Sequence, residues 1–290
     1  MSAVIVDGKA VAAELRAELA TRIVRVSEDG SAPPSLAVVL CGDDPASALY
    51  VRNKGRAAER TGVRFTLHTP PADSTTDDIV KLVSALDADD AVDGILVQLP
   101  LPPQIDAPAV MQRVSPQKDA DGFHPCNFGM LAEGHPGAVA PCTPLGCMEL
   151  LRRSDLQLRG ARAVVIGRSA IVGRPLALML TNADSTVTIC HSRTEGLAAI
   201  CREADILVAA IGRPRMVDAS YVKPGAFVVD VGTTPQDGVV MGDVDRASVE
   251  PVAGWLTPVP GGVGPMTVAM LLRNTVALAW ARRALGSGVP

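Results

Sequence analysis

The stretch "ARAVVIGRSAIVGRPLALMLTNADSTVTICHS" (residues 161–192) decides the fold. A run of small apolar residues ends at Gly167, a turn follows, and a helix opens at Gly173; a second strand then runs to the polar residues His191, Ser192 and Arg193. A strand ending in glycine just before a helix N-terminus suits a phosphate group, held by backbone N–H groups and the helix dipole. The turn lacks the middle glycine of the GxGxxG pattern, so an ordinary strand-to-helix connection also fits it. Where an acidic residue after the second strand would bind the ribose hydroxyls of NAD, Ser192 and Arg193 stand instead, and these can bind an added phosphate. That tips the choice toward NADP. Arg168 either adds a second positive group or is a solvated loop arginine.

Downstream, a short helix near 195–203 and two more strands, "ADILVAAIG" (204–212) and "AFVVDVG" (226–232), make a self-contained nucleotide-domain pattern. It breaks at "TPVPGGVGP" (257–265), and an apolar helix, "MTVAMLLRNTVALAWARRA" (266–284), follows that can pack on either half of the chain. Upstream, Val11, Leu15, Leu19 and Ile23 mark a helix, "SLAVVLCG" (35–42) a buried strand, and residues 46–61 a second helix stopping before Gly62. "VRFTLHTP" (63–70) and "VDGILVQLPLP" (92–102) read as strands around the helix "TTDDIVKLVSAL" (75–86), with Thr76 or Asp77 placed to cap it. From 100 to 145 the pattern weakens into Pro, Gly and Asn, a long irregular stretch of the kind that usually carries function.

With 290 residues, 48% of them hydrophobic and only 3% aromatic, two α/β domains built on Ala, Val, Leu and Ile are expected. A formal charge of -4 gives no broad cationic field, which disfavours nucleic-acid and anionic-membrane partners and leaves a small ligand. The six cysteines form no CxxC pair and read as small buried thiols of a reducing compartment. With no signal-peptide pattern and no apolar run near twenty residues, a cytoplasmic protein is expected.

Three places stand out as candidate sites. Tyr50 and Lys54 lie four residues apart on one helix face, which fits chemistry but equally a packing aromatic beside a solvated amine. Gln98 is the polar residue at the end of an apolar strand; its amide needs partners if buried, and strand ends are also where α/β sites lie. The loop "SPQKDADGFHPCNFG" (115–129) gathers Lys118, Asp119, Asp121 and His124. No third strong ligand stands at metal-site spacing, so no metal is expected. Asp121 either serves the turn before Gly122 or accepts two N–H donors from a planar, amidine-like ligand.

Taken in order from about residue 40 to 276, the words "PASALYVRNKGRAAERTGV", "GILVQLPLP", "KDADGFHPCNFGML", "PCTPLGCMELL", "VVIGRSAIVGRPLALML", "CHSRT", "VKPGAFVVDVG", "GDVD" and "TPVPGGVGPMTVAMLLRNT" closely resemble the bifunctional methylenetetrahydrofolate dehydrogenase/methenyltetrahydrofolate cyclohydrolases. The resemblance implies an N-terminal α/β catalytic domain (1–140), completed by a C-terminal helix (264–290), a Rossmann-type NADP domain (141–263), and a folate cleft between them. It implies oxidation of 5,10-methylenetetrahydrofolate by NADP and hydrolysis of the methenyl cation to 10-formyltetrahydrofolate, within one-carbon metabolism and purine biosynthesis, by a homodimer.

Lys54 falls on the family's essential lysine. Beside a methenyl cation, like-charge repulsion and partial burial favour the neutral amine, which can then act as general base toward water. Gln98 matches the glutamine that holds that amine, Tyr50 the tyrosine that stacks on the folate rings, and Asp121 the acid that receives the pterin N–H groups. Val97 and Leu99, with Pro260, Gly261 and Gly262 of "PGGVGP" (260–265), are implied substrate contacts. Gly167, Arg168, Ser169, Ser192, Arg193 and Thr233 are implied cofactor contacts, and Ser47 belongs to the same signature unless it only caps its helix. Two departures stand out. Thr233 and Thr234 replace a common Ile-Asn pair, which makes the Thr233 contact less secure, and Arg56 replaces a second lysine, keeping charge without titratability. A dehydrogenase without hydrolysis is disfavoured by the intact set of Tyr50, Lys54, Gln98 and Asp121. A non-catalytic nucleotide-binding module would not need those residues.

Overall fold

The computed structural model describes residues 2–28, 30–236 and 238–286. The strands are β1 (Val4–Ile5), β2 (Ser35–Val39), β3 (Arg64–His68), β4 (Gly94–Val97), β5 (Arg162–Ile166), β6 (Thr186–Cys190), β7 (Ile206–Ala209), β8 (Phe227–Asp230), β9 (Thr234–Gln236), β10 (Val239–Met241) and β11 (Trp255–Leu256). The helices are α1 (Gly8–Glu28), α2 (Pro45–Thr61), α3 (Thr76–Ala88), α4 (Ala107–Arg113), α5 (Pro125–Ala132), α6 (Cys142–Arg152), α7 (Gly173–Asn182), α8 (Leu197–Cys201), α9 (Arg246–Val249) and α10 (Val263–Gly286). The chain divides into two compact units: one holds the chain up to Ala12, Leu131–Pro136 and Pro141–Thr267; the other holds Ala13–Met130, Gly137–Ala140 and the chain from Val268 on. The implied helix 264–290 is therefore split at Thr267, and its last four residues lie outside the described residues.

The unit around residues 141–267 carries a parallel sheet of order β1-β11-β8-β7-β5-β6. The inner strands β5, β7 and β8 bury Val, Ile and Ala on both faces, as parallel strands covered by helices must, while β6 at the edge is largely exposed. From β5 the chain moves outward to β6 and then returns to the other side of β5 to lay down β7. At such a reversal the connections leave a crevice beyond the carboxyl ends of the strands.

The unit around residues 13–130 carries the parallel sheet β3-β2-β4, with Val39, Ile79, Val83, Ile95 and Val97 in its core. Residues 118–120 run alongside β4: Ile95 N–H donates to Lys118 O at 2.7 Å and Ala120 N–H to Ile95 O at 3.3 Å. The later part of α10 packs here, where Asn274 Nδ2 donates to Ala120 O and Ala140 O at 3.0 and 3.1 Å, and Arg282 and Arg283 pair with Asp93.

By packing, residues 2–12 cluster with the unit around 141–267, because β1 pairs in parallel with β11 and supplies an edge that β11 would otherwise leave open. Several expectations from the sequence are corrected. The irregular stretch 100–145 contains α4 and α5, each too short to show a helical period. The cap of α3 is Thr75, whose hydroxyl accepts from Asp78 N–H while Asp78 accepts from Thr75 N–H. Asp44, not Ser47, caps α2, its carboxylate accepting Ser47 N–H at 2.8 Å. Cys126 is exposed, and the other five cysteines are buried, with Cys147 and Cys201 pushed up to about 12 by burial.

Candidate functional site

Helix α2 places Tyr50 and Lys54 one turn apart, and Gly62 ends it with φ 85°, a conformation that favours glycine. Tyr50 is 50% exposed and so is open to a ligand. Lys54 is half-buried and its Nζ donates to Gln98 Oε1 at 2.9 Å. Gln98 sits just past β4, where its N–H donates to Val39 O at 2.9 Å, and its Nε2 donates to Leu99 O at 2.6 Å. The two side-chain bonds fix the amide orientation, turning its oxygen to the amine. Val97 packs its side chain into the core, leaving only its backbone for a ligand. The 118–120 segment runs level with β4 and delivers half-buried Asp121 at the same strand end.

The rest of that loop is structural. Lys118 is buried and its Nζ donates to Asp87 O at 2.7 Å and Asp89 O at 2.8 Å, satisfying carbonyls left open at the end of α3. Burial, and then Arg282, lower its basicity. Asp119 accepts from Gly122 N–H, His124 N–H and Asn127 Nδ2 at 2.8–3.0 Å. Among the described residues no group of His, Cys, Asp and Glu could hold a metal ion.

In the other unit, Gly167 leaves β5 with φ 123°, and a Cβ there would lie 2.2 Å from Ala210 O. A Cβ on Gly173 would lie 2.1 Å from Gly167 O. Both positions thus require glycine, which the sequence pattern alone left open. Ser169 Oγ accepts from Val172 and Gly173 N–H at 3.2 and 3.3 Å and keeps its own proton to donate. A recess of about 280 Å³ opens here, lined by Ser169, Val172, Gly212, Gly232, Thr233 and Asp243 among others. It lies beyond the carboxyl ends of β5, β7 and β8, at the reversal of strand order. Arg168, Ser192 and Arg193 are exposed, the last two in a turn closed by His191 N–H on Thr194 Oγ1 at 2.9 Å. In the loop before α10, Gly261 has φ 108°, Gly262 N–H donates to Pro258 O at 2.7 Å, and Pro260 is exposed.

Two buried carboxylates near the recess were not singled out by the sequence. Asp230 accepts from Gly232, Asp243 and Val244 N–H at 2.8–3.0 Å, and Asp243 accepts from Ile211, Gly212 and Arg213 N–H at 2.6–3.0 Å. Burial pushes Asp230 up to about 6 despite its three N–H partners, and Asp243 adds to the rise. A raised folded-state value means that its stabilising contribution is complete below the ordinary 3.8 and is lost as pH rises through 6. In urea unfolding from about pH 4 to about pH 7, the stability of the parent relative to Asp230→Asn should therefore fall by about 2 kcal/mol. A difference that stays flat with pH would rule out this proton.

Models of two domains of one family match the chain: the tetrahydrofolate dehydrogenase/cyclohydrolase catalytic domain over residues 6–121 and its NAD(P)-binding domain over residues 141–283. The bifunctional protein FolD of Koribacter versatilis is 50% identical over 305 residues, spanning 98% of this chain and 99% of that protein. That of Chloroflexus aurantiacus is 52% identical over 277 residues, spanning 95% and 97%. The crystal structure of the bifunctional FolD methylenetetrahydrofolate dehydrogenase/cyclohydrolase from Campylobacter jejuni matches with a TM-score of 0.94 at 43% identity, over 97% of this chain and 100% of that one. The Trypanosoma brucei methylenetetrahydrofolate dehydrogenase-cyclohydrolase, complexed with NADP cofactor and inhibitor, matches with a TM-score of 0.94 at 40% identity, over 98% and 99%.

Proposed function

The chain belongs to the tetrahydrofolate dehydrogenase/cyclohydrolase family, and from that premise we propose how its residues share two reactions. The enzyme oxidises 5,10-methylenetetrahydrofolate with NADP and hydrolyses the 5,10-methenyl product to 10-formyltetrahydrofolate, in one-carbon metabolism. The observation that carries the assignment of roles is the bond from Lys54 Nζ to Gln98 Oε1. It holds the amine where a water can be deprotonated as its oxygen attacks the methenyl carbon. That proton passes to the amine; the hydroxyl adduct then collapses to the N10 formyl group as the carbon–N5 bond breaks and N5 takes a proton, the other proton leaving to solvent. Gln98 orients the amine, Tyr50 offers its ring to the pterin, and Asp121 receives the pterin's N–H groups in a charge-assisted pair. Val97, Leu99, Pro260, Gly261 and Gly262 contribute backbone at close range.

The recess beside the tight glycine turn fits a dinucleotide, since it opens beyond the strand ends between Ser169, Gly212 and Gly232. NADP, when bound, supplies a hydride acceptor. Ser169 holds its phosphates, Ser192 and Arg193 the extra phosphate on its ribose, Arg168 adds charge, and Thr233 lines the recess. We assign the folate chemistry to residues 1–140 with the C-terminal helix and the dinucleotide to residues 141–263, apart from the N-terminal strand. A cytoplasmic homodimer serving purine biosynthesis completes the reading. Among the described residues no helix is long and apolar enough to cross a membrane, and the net charge of -4 supports neither a nucleic-acid nor a membrane partner.

Purified protein given methylenetetrahydrofolate should form the methenyl absorbance band at least about 10-fold faster with NADP than with NAD, since a bound phosphate is worth one or more charge-assisted hydrogen bonds. Added methenyltetrahydrofolate should decay above the buffer rate. Absence of both activities overturns the assignment, and a preference for NAD overturns the role of Ser192 and Arg193.

A further inference from the structure

Asp243 has no part in either reaction as described, yet it is completely buried and each of its carboxylate oxygens is used. Oδ2 accepts from Ile211 N–H at 2.6 Å and Gly212 N–H at 3.0 Å, and Oδ1 accepts from Arg213 N–H at 2.7 Å. Three successive N–H groups converging on one side chain hold the connection after β7 in a single shape, with Gly212 at φ 68°. Asp243 is itself held, because its N–H donates to Asp230 Oδ1 at 2.8 Å, and Asp230 also takes Gly232 N–H. Gly232 is pressed so closely that a Cβ would lie 2.3 Å from Asp243 N. The connection after β7 thus keeps its place through the Asp243 carboxylate and the one after β8 through Asp230, to which the Asp243 N–H also donates, and both line the recess, at Gly212 and at Gly232 and Thr233.

We propose that Asp243 is a positioning residue for the dinucleotide, presetting the 211–213 connection against the 231–233 connection so that the recess accepts it without reorganisation. The inference rests on the dinucleotide occupying that recess. It separates Asp243 from a general stabilising role, because hydrolysis of methenyltetrahydrofolate draws on Lys54, Gln98, Tyr50 and Asp121 and consumes no dinucleotide.

The test is Asp243→Asn. An amide presents N–H groups of its own to at least one of the three donors, so at least one bond is lost. The Kd for NADP, by calorimetry, should rise about 10- to 100-fold while KM and kcat for hydrolysis of methenyltetrahydrofolate stay within about twofold. An unchanged Kd overturns the inference, as does an equal fall in both activities. If Asp243→Asn does not fold, Gly212→Ala disturbs the same connection from outside, and the same split between Kd and hydrolysis is required of it. Hydrogen exchange at residues 211–213 of the parent, with and without NADP, separates the two ideas. No protection by NADP overturns the placement of the dinucleotide and the inference with it; protection combined with an unchanged Kd in the variant overturns the inference alone.

Discussion

Lys54→Met is expected to abolish hydrolysis of methenyltetrahydrofolate while leaving a folded protein that binds NADP with parental affinity. Methionine keeps the unbranched stem and good helix propensity of lysine, so α2 should persist between its Asp44 cap and the Gly62 terminus. What disappears is the amine that Gln98 holds at 2.9 Å. A positioned general base is worth about 100- to 10,000-fold in rate, and the loss should appear in kcat, since the ring platform and the acid that bind the pterin remain. Decay of the methenyl absorbance above the buffer rate measures it directly. A variant that hydrolyses at the parental rate would show that Lys54 is not the base. Gln98 makes the same point from the other side: it contributes by orienting the amine, and its own orientation depends on the 2.6 Å bond to Leu99 O.

Gly173→Ala is the second large effect, and it falls on the other reaction. A methyl group there would lie 2.1 Å from Gly167 O and 2.6 Å from Gly167 C, both backbone atoms, so the turn between β5 and α7 must open. Opening it displaces Arg168 and Ser169, which would meet the phosphates, and breaks the bonds by which the Ser169 hydroxyl accepts from Val172 and Gly173. NADP affinity should fall by about 100-fold or more, the equivalent of two charge-assisted hydrogen bonds. Hydrolysis should survive, because Lys54 and Gln98 belong to the other compact unit. A folded Gly173→Ala protein with parental NADP affinity would overturn the assignment of this turn to the phosphates.

How much of this was legible in the chain depended on how local the signal was. The ends of α2 follow from neighbouring residues, and so does the β5-turn-α7 unit, where apolar runs and glycines stand side by side. β1 did not show, because two residues cannot display a period and its only reason to be a strand is the open edge of β11. Helices α4 and α5 were hidden by their length and by Pro and Asn. In the 118–124 loop, residue types suggestive of ligation proved to be divided between Lys118 and Asp119, which satisfy backbone, and Asp121, which follows the bridge to β4. The role of Asp243 was unreadable because its donors come from the connection after β7, about thirty residues away.

The sequence by itself determined the alternation of strands and helices, the two glycines at the strand-to-helix turn, and the placing of Tyr50 and Lys54 one turn apart. These follow from side-chain periodicity and backbone preference within a few residues. Only the tertiary structure decided that Lys54 meets Gln98 across 44 positions of chain, that Asp121 arrives at the end of β4, and that Asp230 and Asp243 bind the connections around the recess. Those contacts depend on parallel register and on which buried polar group finds which donor, and both are settled only when the strands have packed.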